Sequence, residues 1–299
     1  MKKVITRGLI VSMAMVAVMG SVVAMKAPSK ASKVANKTSV ETTGTEDVMV
    51  AEELAKYSNF TLKSIENYSD VALSDDASVE EVKAYFLEIG FDEEDLDIAY
   101  ICSEIEDLKK EYQNEEEIVE QVDKTVEEWM SEVTEDVATC SNPVDAMKAK
   151  AAEIWYNFKY NEKRAYVMHP VKALKSYVLG KVATEYTIQV FGINGLGDPS
   201  DAFRHAMWCA LMARDIGHKY CDLFATAHET GPVRGESDIC ADGYKLDAHR
   251  EMDLHNNKVG MNLVTEYDTK ETASDEILAQ KVFNKLNGVR ESGLVWLHF

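Results

Sequence analysis

Three short motifs in the second half of the chain place His, carboxylate and amide side chains at helical spacing. They occupy residues 201–205, 228–229 and 253–257. Imidazole and carboxylate groups are ligands for Zn²⁺ and related divalent ions, and a metal ion with an open coordination position activates water. Without a metal, the same groups can act as general acid and base. The motifs therefore indicate hydrolytic chemistry at a His/carboxylate centre.

Helical phase turns several of these side chains toward one interior. At roughly 100° per residue, His205, His228 and Asp253 fall on inward faces of three successive helices. We interpret these three as the catalytic centre and as the ligands of a divalent metal ion, which is the expected cofactor. Asn257, one turn after Asp253, would orient Asp253 or a substrate. Glu229 is a fourth ligand or general base. Its helical phase places the side chain on the more solvent-exposed side of the helix, unless the helix ends just before it.

Two further residues are candidates for substrate binding. Arg204 would bind an anionic substrate group or pair with Asp201, and Asn256 lies on the inward face beside Asp253. Asp201 and His205 are one helical turn apart, so they can form a hydrogen bond. That bond would hold the imidazole in one orientation, as carboxylates do for metal-binding histidines.

Three functions are compatible with these residues. The first is a metal-dependent hydrolase acting on an ester or phosphoester through the His/His/Asp centre. The second is a non-enzymatic binding or scaffold module, in which a satisfied buried polar network only specifies the helix packing. The third is a metal-free, lipase-like His–Asp hydrolase. The sequence contains neither a G-x-S-x-G elbow nor an H-E-x-x-H motif, which disfavours serine hydrolases and zincins.

The segments that carry the motifs read as helices of an all-α fold. Residues 200–217 are apolar in nearly every direction, which is typical of a central buried helix. Gly260 lies within the third helix, where it costs about 1 kcal/mol relative to Ala, so a close helix approach or a ligand must require it. We predict a compact helical-bundle domain over residues 139–299.

An acidic amphipathic helical module precedes that domain over residues 51–138. The chain has a net charge of -20, and residues 75–136 contain 24 acidic and four basic residues. Binding to nucleic acid is not expected, because phosphate contacts require Lys and Arg. The module is either a solvated spacer or a docking site for a basic protein or the cell envelope. Ser78 and Glu81 form a capping box that starts its first predicted long helix.

The amino terminus resembles a targeting sequence. Basic residues up to Arg7 precede an apolar run over residues 8–20, and Ala24 offers a small residue for cleavage. This pattern predicts a signal peptide over residues 1–24 and a secreted, extracellular protein, with an uncleaved anchor as the alternative. Residues 25–50 are rich in Lys, Ser and Thr and read as a disordered linker.

The motifs together resemble an uncharacterised bacterial domain of unknown function that occurs at the carboxy end of secreted and surface proteins. Its hallmarks are DAFRHA-x-W-x-A, a downstream HE, and an MDL-x-NN-x-x-G helix, and the resemblance covers about residues 161–264. It implies an all-helical fold and a set of site residues, but no reaction. Those residues are Asp201, Arg204, His205, Trp208, His228, Glu229, Asp253, Asn256, Asn257 and Gly260. Cys209 departs from the family, which usually has a polar residue there.

Overall fold

The computed structural model describes residues 54–57, 62, 77–132, 142–231, 238–287 and 292–299. Within these ranges the chain forms ten α-helices and no strand, which confirms the all-α prediction. The predicted signal peptide and linker lie outside these ranges, so secretion and cleavage near Ala24 stay predictions. No helix in the described ranges is both long and apolar enough to cross a membrane.

The ten helices are short to medium in length and follow one another closely along the chain. They are α1 (Val79–Glu88), α2 (Ala99–Glu111), α3 (Glu115–Glu132), α4 (Pro143–Asn157), α5 (Tyr160–Met168), α6 (Pro170–Phe191), α7 (Pro199–Asp215), α8 (His218–Glu229), α9 (Leu246–Met261) and α10 (Asp275–Asn284). The predicted capping box is present at the start of α1, where the Glu81 carboxylate accepts a hydrogen bond from the backbone N–H of Ser78.

Helix α7 is the centre of the fold, as its all-round apolar sequence predicts. It is buried along nearly its whole length and packs against α6, α8, α9 and α10. Its first turn is fixed by Asp198, whose carboxylate accepts the backbone N–H groups of Ser200 and Asp201, and by Pro199 at the first helical position. The start of α7 is therefore a rigid platform for the residues that follow.

Helices α7 and α9 cross with almost no space between their backbones. A Cβ added at Gly260 would lie 1.9 Å from the carbonyl oxygen of Ala206. This contact explains the mid-helix glycine, since any larger residue would push the two helices apart. The close crossing brings the polar face of α9 directly against the first turns of α7.

The acidic helices pack on the carboxy-terminal helices and share their hydrophobic core. Residues of α1–α3, α4–α8 and α10 belong to one continuous cluster of buried apolar side chains, and Val259 and Met261 of α9 pack against it. Polar contacts cross the same boundary: the Tyr177 hydroxyl donates to Asp97 and the Trp155 indole N–H donates to Asp123. The predicted boundary between residues 138 and 139 lies outside the described ranges.

The carboxy-terminal tail returns over α9. Asn256 donates to the carbonyl oxygen of Val295 and accepts the Val295 N–H, at 2.8 and 2.9 Å. The Leu297 N–H donates to the carbonyl oxygen of Gly197 at 2.7 Å. The tail thus ties α9 to the loop that precedes α7.

Candidate metal centre

The imidazole of His205 lies in the middle of a buried cluster of carboxylates. His205 Nε2 is 3.5 Å from Asp201 Oδ1 and 3.6 Å from Asp253 Oδ1. One ligand atom from each of Asp201, His205 and Asp253 lies within 4.8 Å of the other two. All three residues are at most 7% exposed. These are the spacing and the donor types that a divalent metal ion requires.

The opposite nitrogen of the imidazole faces an amide and a third carboxylate. His205 Nδ1 is 3.3 Å from Asn257 Oδ1 and 3.6 Å from Glu229 Oε1. An amide oxygen only accepts hydrogen bonds, so the contact with Asn257 Oδ1 forms when Nδ1 carries the proton. In that tautomer the Nε2 lone pair faces Asp201 and Asp253, and also the Arg204 guanidinium, whose Nη2 is 3.5 Å away.

Several buried polar atoms around His205 have no hydrogen-bond partner among the described residues. They are Arg204 Nε, Glu229 Oε1, Asp253 Oδ1 and Asn257 Nδ2. Leaving a buried polar atom unpaired costs about 1–3 kcal/mol, so four of them at one place require an explanation. A cation bound beside His205 Nε2 would satisfy Asp253 Oδ1, which lies 3.6 Å from that nitrogen. Glu229 Oε1 lies on the other side of the ring, 3.6 Å from Nδ1.

The electrostatics of the cluster favour a cation for the same reason. Burial, together with the negative charges of Glu229 and Asp201, raises the pKa of Asp253 well above its usual value. Burial also raises the pKa of Glu229. Burial and the adjacent Arg204 guanidinium hold the pKa of His205 well below its usual value, so the imidazole is neutral. A neutral imidazole beside carboxylates that repel one another is ready to accept a metal ion.

Arg204 is already engaged inside the cluster. Its guanidinium donates to Asp201 Oδ1 and to Asn194 Oδ1, and at 3.3 Å to the carbonyl oxygen of Gly195. The Gly197 N–H donates to Asp201 Oδ2 at 2.7 Å. Both oxygens of Asp201 are therefore held in place by the loop before α7 and by Arg204. The predicted pairing of Arg204 with Asp201 is present, whereas no contact here tests its predicted role in binding substrate.

The predicted His228 lies beside this cluster with a partner of its own. Its ring centroid is 6.1 Å from that of His205, and its Nδ1 is 2.7 Å from Glu162 Oε1. Burial opposes the charged form of His228, yet the carboxylates of Glu162 and Glu229 raise its pKa overall. The structure thus brings Asp201, and not His228, within ligand distance of His205 and Asp253.

Two further predicted residues differ from their expected surroundings. Helical phase placed Glu229 on the wetter side, but Glu229 is the last residue of α8 and is 4% exposed. A terminal side chain is free to turn across the end of its helix, which brings Glu229 to His205. Asn256 was predicted to contact substrate, yet both ends of its amide are bound to the backbone of Val295.

Sequence reasoning missed Glu162 altogether and treated Asp201 only as a partner for His205. Glu162 also accepts the backbone N–H of Lys159 and caps α5. In the sequence, Glu162 has the position of a glutamate that caps the start of a helix. Nothing local in the sequence indicates its contact with His228, which is 66 residues away. The spacing of Asp201 and His205 on one helical face did contain the signal for a shared site.

Comparison with known proteins shows that the part of the chain carrying this site is similar to a family of unknown function. Residues 163–290 match a family described as a domain of unknown function, DUF6973. The matched region contains all three motifs and extends from α5 to beyond α10. Neither a curated protein nor a solved structure matches the chain.

Proposed function

We propose that this chain binds one divalent metal ion through Asp201, His205 Nε2 and Asp253, and that the bound ion serves the hydrolysis of an ester or phosphoester. The observation that carries the proposal is the unpartnered, fully buried Oδ1 of Asp253, 3.6 Å from His205 Nε2. When bound, the ion would lower the pKa of a coordinated water and polarise the substrate oxygen.

The surrounding residues have separate roles in this proposal. Asn257 holds His205 in the required tautomer by accepting from Nδ1. Glu229 carries an unpartnered oxygen on the Nδ1 side of His205 and is the candidate general base for the attacking water. Arg204 and the Gly197 N–H keep Asp201 in one orientation. His228 is left outside the ligand set, next to it, with its Nδ1 bound to Glu162.

The charge balance supports a cation at this position. Three buried carboxylates surround His205, namely Asp201, Glu229 and Asp253, each at most 7% exposed, and a fourth, Glu162, is paired with His228. Arg204 and Lys159 are the nearby cations that lower the pKa of Asp253, and Arg204 also pairs with Asp201. Buried carboxylates in such excess must either bind protons or bind a cation, because leaving them charged and unpaired is costly.

A purely structural network is the second candidate, and the deep burial of the cluster favours it. Arg204, His205 and Asp201 are each at most 5% exposed, and each makes a hydrogen bond within the protein. In that case the carboxylates would carry protons in place of a metal ion. Metal-free His–Asp hydrolysis has less support. In that mechanism the histidine would activate a water or a serine, but the hydroxyl of Ser200, at the start of α7, donates to Asp198.

Metal content of the purified full chain, measured by elemental mass spectrometry, separates these functions. We expect about one zinc, manganese or similar ion per chain. Asp253→Asn should lose the ion while keeping its helical circular dichroism. Asp247→Asn is the matched control, because Asp247 lies on the same helix as Asp253 with a side chain that is 87% exposed. It should retain the ion.

Hydrolysis is then measured with p-nitrophenyl acetate, p-nitrophenyl phosphate and its diester. Activity that requires the metal ion, and that Glu229→Gln lowers without loss of the ion, would support the complete proposal. A metal-bound chain inactive on all three substrates would limit the site to metal binding. A wild-type chain that remains metal-free after incubation with zinc and manganese would leave the structural network as its role.

A further inference from the structure

A second feature of the molecule lies away from the metal centre, in a cleft of about 200 Å³ between α3, α4 and α5. Four aromatic side chains contribute to its walls: Trp155, Tyr156, Phe158 and Tyr160. Trp155 and Phe158 are buried, whereas Tyr156 and Tyr160 are 46% and 41% exposed. The exposed ring of Tyr160, beside a buried aromatic floor, offers a surface to a ligand.

The cleft also contains more negative than positive charge. Asp123 and Glu127 from α3 line it, and Lys163 is its one lining cation. Lys163 is already paired, because its Nζ donates to Asp123 Oδ1 at 2.7 Å and lies 5.2 Å from the centre of the Trp155 ring. Glu127 is exposed and forms no ion pair with another described residue. The wall on the α3 side therefore presents an uncompensated carboxylate.

Lys163 shows which chemistry this aromatic surface accepts. An ammonium group is held there between a carboxylate and an indole face, which combines an ion pair with a cation–π contact. Between α4 and α3, Lys148 Nζ lies 5.3 Å from the centre of the Trp129 ring. The packing of α3, α4 and α5 thus contains two contacts of a lysine with a tryptophan ring.

We infer that this cleft binds a basic side chain, arginine or lysine, of a peptide segment from a partner protein. The aliphatic stem of the side chain would lie along Tyr156 and Tyr160, and its charged end would face Glu127. Arginine fits best, since its planar guanidinium stacks on aromatic faces and pairs with carboxylates. The long-range attraction comes from the acidic segment that contains α3, in which residues 75–136 carry 24 acidic and four basic residues.

The inference is tested by titrating a hexaarginine peptide into the full chain at physiological ionic strength. Binding is followed by calorimetry and by tryptophan fluorescence. We expect one peptide per chain. Tyr160→Ala and Glu127→Gln should each weaken binding about fivefold or more, because each removes a contact worth one cation–π or ion-pair interaction in a partly desolvated site.

Matched controls separate the cleft from diffuse charge attraction. Glu128→Gln removes the same charge from the neighbouring residue on α3, and Tyr267→Ala removes a tyrosine that is 81% exposed and outside the cleft. Both should bind the peptide as the wild type does. Equal weakening by Glu127→Gln and Glu128→Gln, with no effect of Tyr160→Ala, would show diffuse attraction and overturn the inference.

Two other probes complete the test. Tetramethylammonium ion should compete weakly with the peptide, because it offers a cation without the stem. Chitohexaose is the probe for the alternative that the aromatic walls bind a sugar. If it binds and the peptide does not, with binding lost in Tyr160→Ala, the cleft is a carbohydrate site and the inference is wrong. No result at the metal centre affects these outcomes.

Discussion

At the scale of single residues, His205 combines two properties that are rarely found together in a core. Its side chain is surrounded by three carboxylates, yet the imidazole is neutral because burial and Arg204 hold its pKa well below the usual value. A protonated imidazole would pair with these carboxylates, whereas a neutral one leaves Asp253 Oδ1 and Glu229 Oε1 without a hydrogen-bond partner among the described residues. These two oxygens are the basis for proposing that the cluster binds a metal cation.

Asp253 gives a prediction about pH that follows from this arrangement. Its pKa is raised in the folded chain, so the folded state favours the protonated form. The stabilisation from that proton is complete below the unfolded pKa of about 4 and is lost as pH rises through the folded pKa. In the presence of a chelator, Asp253→Asn should therefore match wild type near pH 4 and exceed its melting temperature at pH 7.

Addition of zinc or manganese should reverse that order at pH 7. A ligand at 100 times its Kd stabilises the folded state by about 2.7 kcal/mol, and only the chain that binds it gains this. Thermal melts of both chains, with and without the ion, measure the effect. If Asp253→Asn melts lower than wild type in chelator at pH 7, the charged carboxylate has a partner in the folded chain and the argument from its burial fails.

At the scale of helices, the crossing of α7 and α9 sets the geometry of the whole cluster. His205 lies next to Ala206, whose carbonyl oxygen faces Gly260, and Asn257 and Asp253 lie one and two turns before that glycine. A change in the distance between the two helices moves Asp253 and Asn257 relative to His205. Gly260 thus sets the helix spacing on which the positions of Asp253 and Asn257 depend.

Gly260→Ala should damage both stability and metal binding. The added Cβ would meet the Ala206 carbonyl at 1.9 Å, and backbone atoms cannot move aside without separating the helices. Overpacking of this kind typically costs 1–3 kcal/mol or more, which we expect as a lower melting temperature together with loss of the bound ion. Lys258→Ala, an exposed change on the same helix, should have neither effect. An unchanged melting temperature for Gly260→Ala would show that the helices can separate freely.

The sequence predicts the helices and their buried faces better than it predicts the partners across them. The all-round apolar pattern of α7 and the need for a small residue at Gly260 are both confirmed, because they depend on local periodicity and on backbone packing. The burial of Glu229 was missed, because the direction of a side chain at the end of a helix depends on tertiary packing. The contact of His228 with Glu162 was missed because it joins residues far apart in the chain.

At the scale of the whole molecule, charge and hydrophobic packing divide the chain differently. Charge separates the acidic helices α1–α3 from the rest, and this contrast is the basis for predicting two modules. The buried side chains ignore that division: Ile101, Ile105 and Val122 from the acidic helices are fully buried in the same cluster as residues of α4–α8 and α10. An acidic exterior is compatible with a shared interior, because the acidic residues occupy the solvent face of amphipathic helices.

A chain that begins at residue 139 should therefore not fold to the native state by itself. Removing residues 1–138 would expose Trp155, which is fully buried and donates to Asp123. It would also leave the Tyr177 hydroxyl without its acceptor, Asp97. We expect loss of the cooperative thermal transition and of dispersed amide resonances, whereas a chain that begins at residue 51 should retain both. A cooperative transition for residues 139–299 close to that of the full chain would establish the acidic segment as a separate module. The aromatic cleft between α3, α4 and α5 would then form only when the two modules dock, and binding of hexaarginine would strengthen that docking.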